Sequence, residues 1–158
     1  MKLPFSRRFA VFAVLTLAWM SVIFFFSAQN GSESSGLSSK LVELLCAIVH
    51  YNPSPDVFSI LTFIVRKGAH MTEFGILALL WLGTLIGGAE GFPWRYPAAF
   101  ALSSFYAATD EIHQLFVSER AGQVTDWLID STGALFFLLC AWFLSKYLLK
   151  RMMKKWQS

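Results

Sequence analysis

The sequence predicts an all-α membrane protein: a bundle of four transmembrane helices with an amphipathic interfacial helix in the first outer loop. Three observations predict it. Hydrophobic residues make up 56% of the 158 residues and mean hydropathy is +0.54, high for a soluble chain and ordinary for a polytopic one. Apolar runs of about 20 residues recur, the length that crosses a bilayer. Basic residues gather beside alternate ends of those runs, as the positive-inside rule requires. Sixteen Phe and six Trp add large rings that suit lipid tails and headgroup belts. The length fits one domain over 1–158.

The first span, about 9–28, follows Lys2, Arg7 and Arg8. A signal peptide is the competing reading. Its apolar stretch would be unusually long, and Phe26 sits poorly at the −3 position of a cut after Ala28, so an uncleaved helix is expected. Gln29 to Lys40 is rich in Ser and Gly and reads as a loop. Leu37, Leu41, Leu44, Leu45 and Ile48 then recur at helical spacing, with Lys40 and Glu43 off the stripe. This stretch is too short to span and reads as the interfacial helix, with a solvated loop as the alternative. Asn52-Pro53-Ser54-Pro55 ends it.

A second span is expected over 68–88, entered from an interfacial helix over 56–66 or as part of one long tilted helix. Gly83 and Gly87 lie four apart, which permits close helix approach. After a turn at 88–95 comes the third span, 96–117, and after a loop at 118–125 the fourth, 126–149. Cys46, assigned to a loop, and Cys140, within an apolar run, form no metal spacing and are not expected to bridge. The six Trp are expected at lipid or interface positions, Ser103 and Ser104 as packing or back-bonded hydroxyls, and His50 as an exposed loop residue.

Lys2, Arg7, Arg8, Arg95, Lys146, Lys150, Arg151, Lys154 and Lys155 fall on one side of this four-span arrangement; only Lys40, Arg66, Lys67 and Arg120 fall on the other. Both termini are therefore expected in the cytoplasm. The pI near 9.0 then reads as an orientation signal, and no nucleic-acid motif accompanies it.

The unusual residues gather at the outer ends. Lys67, His70 and Glu73 precede or open the second span. Asp110, Glu111, His113 and Gln114 end the third, Arg120 lies in the outer loop, and Asp126 and Asp130 open the fourth. Ionisable groups at membrane depth cost roughly 2.5–3.5 kcal/mol each on insertion scales. Several at one membrane face point to a use. His70 with Glu73, Asp110 with His113 and Gln114, and Asp126 with Asp130 are three or four apart, so each set is expected to share a helix face and to line a polar pocket opening outward.

In order and spacing these residues resemble the VanZ-like family, which includes a teicoplanin-resistance protein. The pattern reads Lys67-Gly-Ala-His70, then Asp110-Glu111-Ile-His113-Gln114, then Arg120, then Asp126, with Gly133 further on. Phe26 to Gln29, Phe-Ser-Ala-Gln, matches the end of the family's first helix. The resemblance runs from the first helix to the last. Phe74 stands where the family pattern has Tyr, and Asp130 where it has Asn. The resemblance implies a multi-pass protein of the bacterial cytoplasmic (inner) membrane and cell envelope, linked in one member to glycopeptide tolerance. It brings no established reaction.

Three uses of the cluster are open. In the first, Lys67, His70, Asp110, Glu111, Gln114, Arg120 and Asp126 bind a phosphate or carboxylate of a membrane lipid, a lipid-linked cell-wall precursor or a glycopeptide antibiotic. In the second, a hydrolase or transferase either holds a divalent metal as cofactor, with His70, Glu73, His113 and Asp130 as candidate ligands and a carboxylate activating water, or works without metal and uses His113 or Glu111 as general base. Ser118 lacks the setting of a nucleophile. In the third, Asp110, Glu111 and Asp126 pair with Lys67 and Arg120 only to lock the helices together.

Overall fold

The computed structural model describes residues 6–88 and 92–156 and contains, among them, five helices and no strand: α1 Arg7–Ser27, α2 Gly31–Ile48, α3 Pro55–Gly88, α4 Arg95–Gln114 and α5 Val124–Trp156. Lys2 and positions 89–91 of the expected turn lie outside the described residues, as do the side chains of Lys150, Arg151, Lys154 and Lys155. Three helices are long and apolar enough to cross a membrane: Arg7–Ser27, Pro55–Gly88 and Val124–Leu148. The 20-residue α4 is not among them. Ser103, Ser104, Thr109, Asp110, Glu111 and His113 dilute its apolar character.

The central helix is α3, which packs against all four others. One apolar cluster joins Ala78 and Leu82 of α3 to Ala99 of α4 and Ala134 and Leu138 of α5. A second joins Ile23 of α1, Phe74 and Leu77 of α3, and Ala107 of α4. The small residues permit close packing. A Cβ at Gly133 would strike the backbone of Met71, and one at Gly87 the backbone of Phe9, so α5 and α1 press directly onto α3. Gly83 faces the Phe12 ring. The outer surface is apolar: Val14, Phe25, Phe105 and Phe143 are each more than half exposed, the reverse of a soluble fold.

Polar groups cross between helices. The Thr16 and Thr84 hydroxyls meet at 3.1 Å and those of Ser104 and Ser131 at 2.8 Å. Trp19 Nε1 donates to the Glu73 carbonyl (2.9 Å), Trp127 Nε1 to the Ser104 carbonyl (3.0 Å) and the Tyr106 hydroxyl to the Met20 carbonyl (2.8 Å). Trp19 and Trp127 are therefore interhelical ties rather than simple lipid contacts. Ser104 bonds across to α5 rather than back along its own helix.

Several expected boundaries move. The Ser- and Gly-rich stretch from Gly31 is helix, not loop, and carries Cys46 with it. Asn30 accepts from Glu33 N at 2.8 Å, and Glu33 Oε2 accepts from Asn30 N at 3.3 Å. This reciprocal box satisfies donors that a helix start leaves bare. His50 adopts φ 52° just past the helix end, the left-handed turn that terminates helices. The entry to the second apolar run is one continuous 34-residue helix rather than an interfacial piece and a separate span. Pro55 suits its first turn, where no amide hydrogen is needed, and Ser54 Oγ accepts from Val57 N. The third run ends as helix at Gln114 rather than at 117, and the fourth starts at Val124 rather than 126 and continues beyond 149.

Candidate functional site

At one end of the bundle, the start of α2, the middle of α3, the end of α4 and the start of α5 enclose a cavity of about 570 Å³. Its wall includes Arg66, Lys67, His70, Gln114, Arg120 and Asp126. Residues from four separate stretches of sequence thus meet: the three expected at the ends of apolar runs, and the start of α2, which was not expected.

The α4–α5 connection is held at three points. Glu111 Oε2 accepts from Gln123 N at 2.8 Å. Glu119 Oε2 accepts from Ser32 N at 3.1 Å, and the Ser118 carbonyl accepts from Gly31 N at 3.3 Å. Arg120 Nε and Nη2 donate to the Gln29 and Phe26 carbonyls at 3.1 and 3.4 Å. That places a guanidinium at the negative end of α1, where a cation is favoured. Glu119, between these anchors, adopts φ 60°. A non-glycine residue in this region is held there by its surroundings; here the Ser32 contact does so.

The charges in the wall are not equally committed. Lys67 forms an ion pair with Asp126, tying α3 to α5, with about a fifth of each side chain exposed. Arg66 donates only to the Ser35 hydroxyl, at 3.3 Å. Among the described residues neither Arg66 nor Arg120 has a carboxylate within ion-pair distance. Burial and the neighbouring Arg66 push the Arg120 guanidinium below its ordinary value, against Asp110, Glu111 and Glu73, which raise it; an arginine stays cationic through such a shift. Three fixed cations, Arg66, Lys67 and Arg120, face two acids, Glu119 and Asp126, across the cavity, leaving one positive charge in excess. The amides at the start of α2 are already taken by Ser118, Glu119 and Asn30. The start of α2 therefore offers no free amide to an anion, and the fixed charges in the wall come from side chains.

The remaining expected site residues lie behind or beside the cavity. Asp110 is 5% exposed and accepts from Gln114 Nε2 at 2.9 Å, orienting the amide that does reach the wall. Glu111 braces the connection and is not part of the wall. His113 departs from the expected shared face: its ring stacks on Phe24 of α1, centroids 4.5 Å apart. The two general-base candidates, Glu111 and His113, therefore both lie off this cavity. Asp130, one turn below Asp126, is 1% exposed, and both its carboxylate oxygens are buried without a hydrogen-bond partner.

The metal candidates do not form a ligand set. His70 Nδ1 and Glu73 Oε2 stand 3.8 Å apart, but among the described residues no three His, Cys, Asp or Glu side chains gather as metal ligands would. His113 is on α1's side and Asp130 is sealed in the core. The sequence reading left Arg66 out of the binding set. Its signal was present: it adjoins Lys67 and lies one turn before His70.

Compared with protein-family models, residues 12–145 match VanZ/LLP1. No curated protein and no solved structure matches the chain.

Proposed function

The chain belongs to the VanZ/LLP1 family, and we propose that it is a multi-pass protein of the bacterial cytoplasmic membrane that binds the anionic headgroup of a lipid-linked or lipopeptide ligand. In this reading α1, α3, α4 and α5 span the bilayer and α2 lies at the outer surface. Both termini are cytoplasmic, and the cavity opens outward into the cell envelope. Glycopeptide tolerance of the teicoplanin type would follow from capture of the antibiotic or of the precursor it recognises. One observation carries the reading: two arginines in a cavity wall without carboxylate partners. A guanidinium presents a fork of donors matched to phosphate or carboxylate, and Arg66 and Arg120 are only partly exposed.

The test is binding of phosphatidylglycerol and of teicoplanin to the purified full-length protein in neutral detergent. Arg66→Gln with Arg120→Gln is expected to weaken at least one of them by about a hundredfold, the sum of two lost charge-assisted contacts of about 1.4 kcal/mol each. Arg66→Gln alone, which leaves the Arg120 contacts to the Gln29 and Phe26 carbonyls in place, should melt close to the parent and weaken binding about tenfold. Unchanged affinity for both ligands would end the proposal.

A second reading has its own support. Lys67–Asp126 joins α3 to α5 and Glu111–Gln123 N braces the α4–α5 connection, so part of the polar cluster is architectural whatever the arginines do. Hydrolysis or group transfer has no comparable support, since its base candidates lie off the cavity.

A further inference from the structure

The two arginines belong to more than one hollow. Arg66, His70 and Arg120 also line an adjoining groove of about 170 Å³ between the end of α1, α2 and α3. Phe26 of α1, Leu37 and Leu41 of α2, and Val65 and Ala69 of α3 supply an apolar side to that groove, while Gln29, Ser34, Ser38 and Glu73 complete its wall. Leu37, Leu41 and Phe26 are each almost half exposed. Leu44, Leu45 and Ile48 continue the exposed stripe along α2, away from the arginines. An open apolar path therefore starts where the guanidinium groups are and runs outward over α2. On the other side of the same arginines lies the larger, polar cavity, with Gln114, Gln123, Thr125 and the Ser32 and Ser35 hydroxyls in its wall.

We propose that the ligand is an amphiphile with a phosphate at the end of an apolar chain, the phosphate lying between Arg66 and Arg120, the chain in the α1–α2–α3 groove and any further head group in the cavity. This deepens the headgroup-binding reading and rests on it. The cations stand between a polar cavity and the apolar side of the groove, and that junction selects it. A soluble anion leaves the apolar side empty. A neutral glycolipid forgoes the guanidinium contacts. A lipoglycopeptide whose carboxylate is remote from its acyl chain cannot place both at the junction.

The experiment uses full-length protein in a neutral maltoside detergent, itself a chain with a sugar and no anion. Four probes are titrated: lysophosphatidylglycerol, geranylgeranyl phosphate, glycerophosphoglycerol, which is the first head without a chain, and teicoplanin. At least one of the two lipid phosphates is expected to bind about a hundredfold or more tighter than glycerophosphoglycerol, since only a few buried methylenes supply that ratio. The tighter of the two lipids identifies the source, a glycerophospholipid or a prenyl phosphate. Leu37→Ser with Leu41→Ser should weaken that lipid about tenfold or more and leave glycerophosphoglycerol unchanged. These leucines are surface residues, so folding is preserved, as the melting temperature will register. Glycerophosphoglycerol binding as tightly as the lipids, or indifference to the leucine changes, overturns the junction assignment while headgroup binding stands. Teicoplanin binding in an arginine-dependent way with neither lipid phosphate bound does the same. Binding of no probe overturns both.

Discussion

Asp126 and Asp130 sit one turn apart on α5 and have opposite circumstances. Asp126 holds Lys67 across the α3–α5 contact, whereas Asp130 has no donor at either oxygen. Breaking the first should hurt. Lys67→Met or Asp126→Asn is expected to lower stability by about 1–3 kcal/mol, between the values for exposed and fully buried pairs. The double change should recover part of the loss, because neither charge is then left alone. Thermal unfolding of the four proteins in detergent gives the coupling directly; simple additivity would show that the pair contributes nothing. Asp130 should behave the other way. An isolated buried carboxylate is costly, and an amide of nearly the same volume less so. Asp130→Asn is expected to melt no lower than the parent, and Asn is the residue the VanZ-like pattern carries there. Asp130→Ala, which opens a void as well, should melt lower than Asp130→Asn. A parent more stable than Asp130→Asn would mean that the carboxylate has a partner of its own.

The helices show which features composition reveals and which it hides. Charged residues at the ends of apolar runs were legible, because they can occupy only the membrane boundary or a polar interior; hence Lys67, Gln114, Arg120 and Asp126 do meet. His113 was misassigned for a geometric reason. Successive residues on a helix turn by about 100°, so Asp110 and Gln114 share a face that His113, next to Gln114, leaves for Phe24. The start of α2 was hidden because its stabilisation is not in its composition. Ser and Gly argue for a loop, but the Asn30–Glu33 box and the Glu119 carboxylate, contributed from the α4–α5 connection, hold the first turn. Asn30→Ala is accordingly expected to cost about 1 kcal/mol. The loss should concentrate locally, with faster amide exchange at Glu33 and Ser34 and little change along α3. Because Gly31, Ser32 and Ser35 form part of the cavity wall, the same change should weaken lipid phosphate binding several-fold at the affinity of the folded site. Exchange that rises evenly through all five helices would instead make α2 inseparable from the bundle.

For the molecule as a whole, helix length sets the depth of the site. The 34 residues of α3 extend about 51 Å at 1.5 Å each, while a bilayer's apolar core is about 30 Å and takes about 20 residues. In the proposed orientation, counting twenty back from Gly88 reaches Ala69, which puts Arg66 and Lys67 at the outer boundary and the first three turns of α3 above it beside α2. The same count from Val124 along α5 reaches Phe143, and Lys146 follows it at the inner side. Arg7 and Arg8 open α1 and Arg95 opens α4 at that same inner level, which agrees with the positive-inside rule. By its own apolarity α4 is not a candidate span, and the proposed fourth crossing rests on its packing against both α3 and α5. This makes a prediction that tests the fourth crossing and the orientation together. In a background with Cys46 and Cys140 replaced by Ser, single cysteines at Ser54, Trp94 and Ser118 are exposed to a membrane-impermeant maleimide in intact cells. Ser54→Cys and Ser118→Cys should label at once, and Trp94→Cys only after permeabilisation. Labelling of Trp94→Cys together with Ser118→Cys would mean that α4 does not cross. Labelling of Trp94→Cys alone would invert the protein and turn the arginine cavity toward the cytosol, away from any envelope ligand.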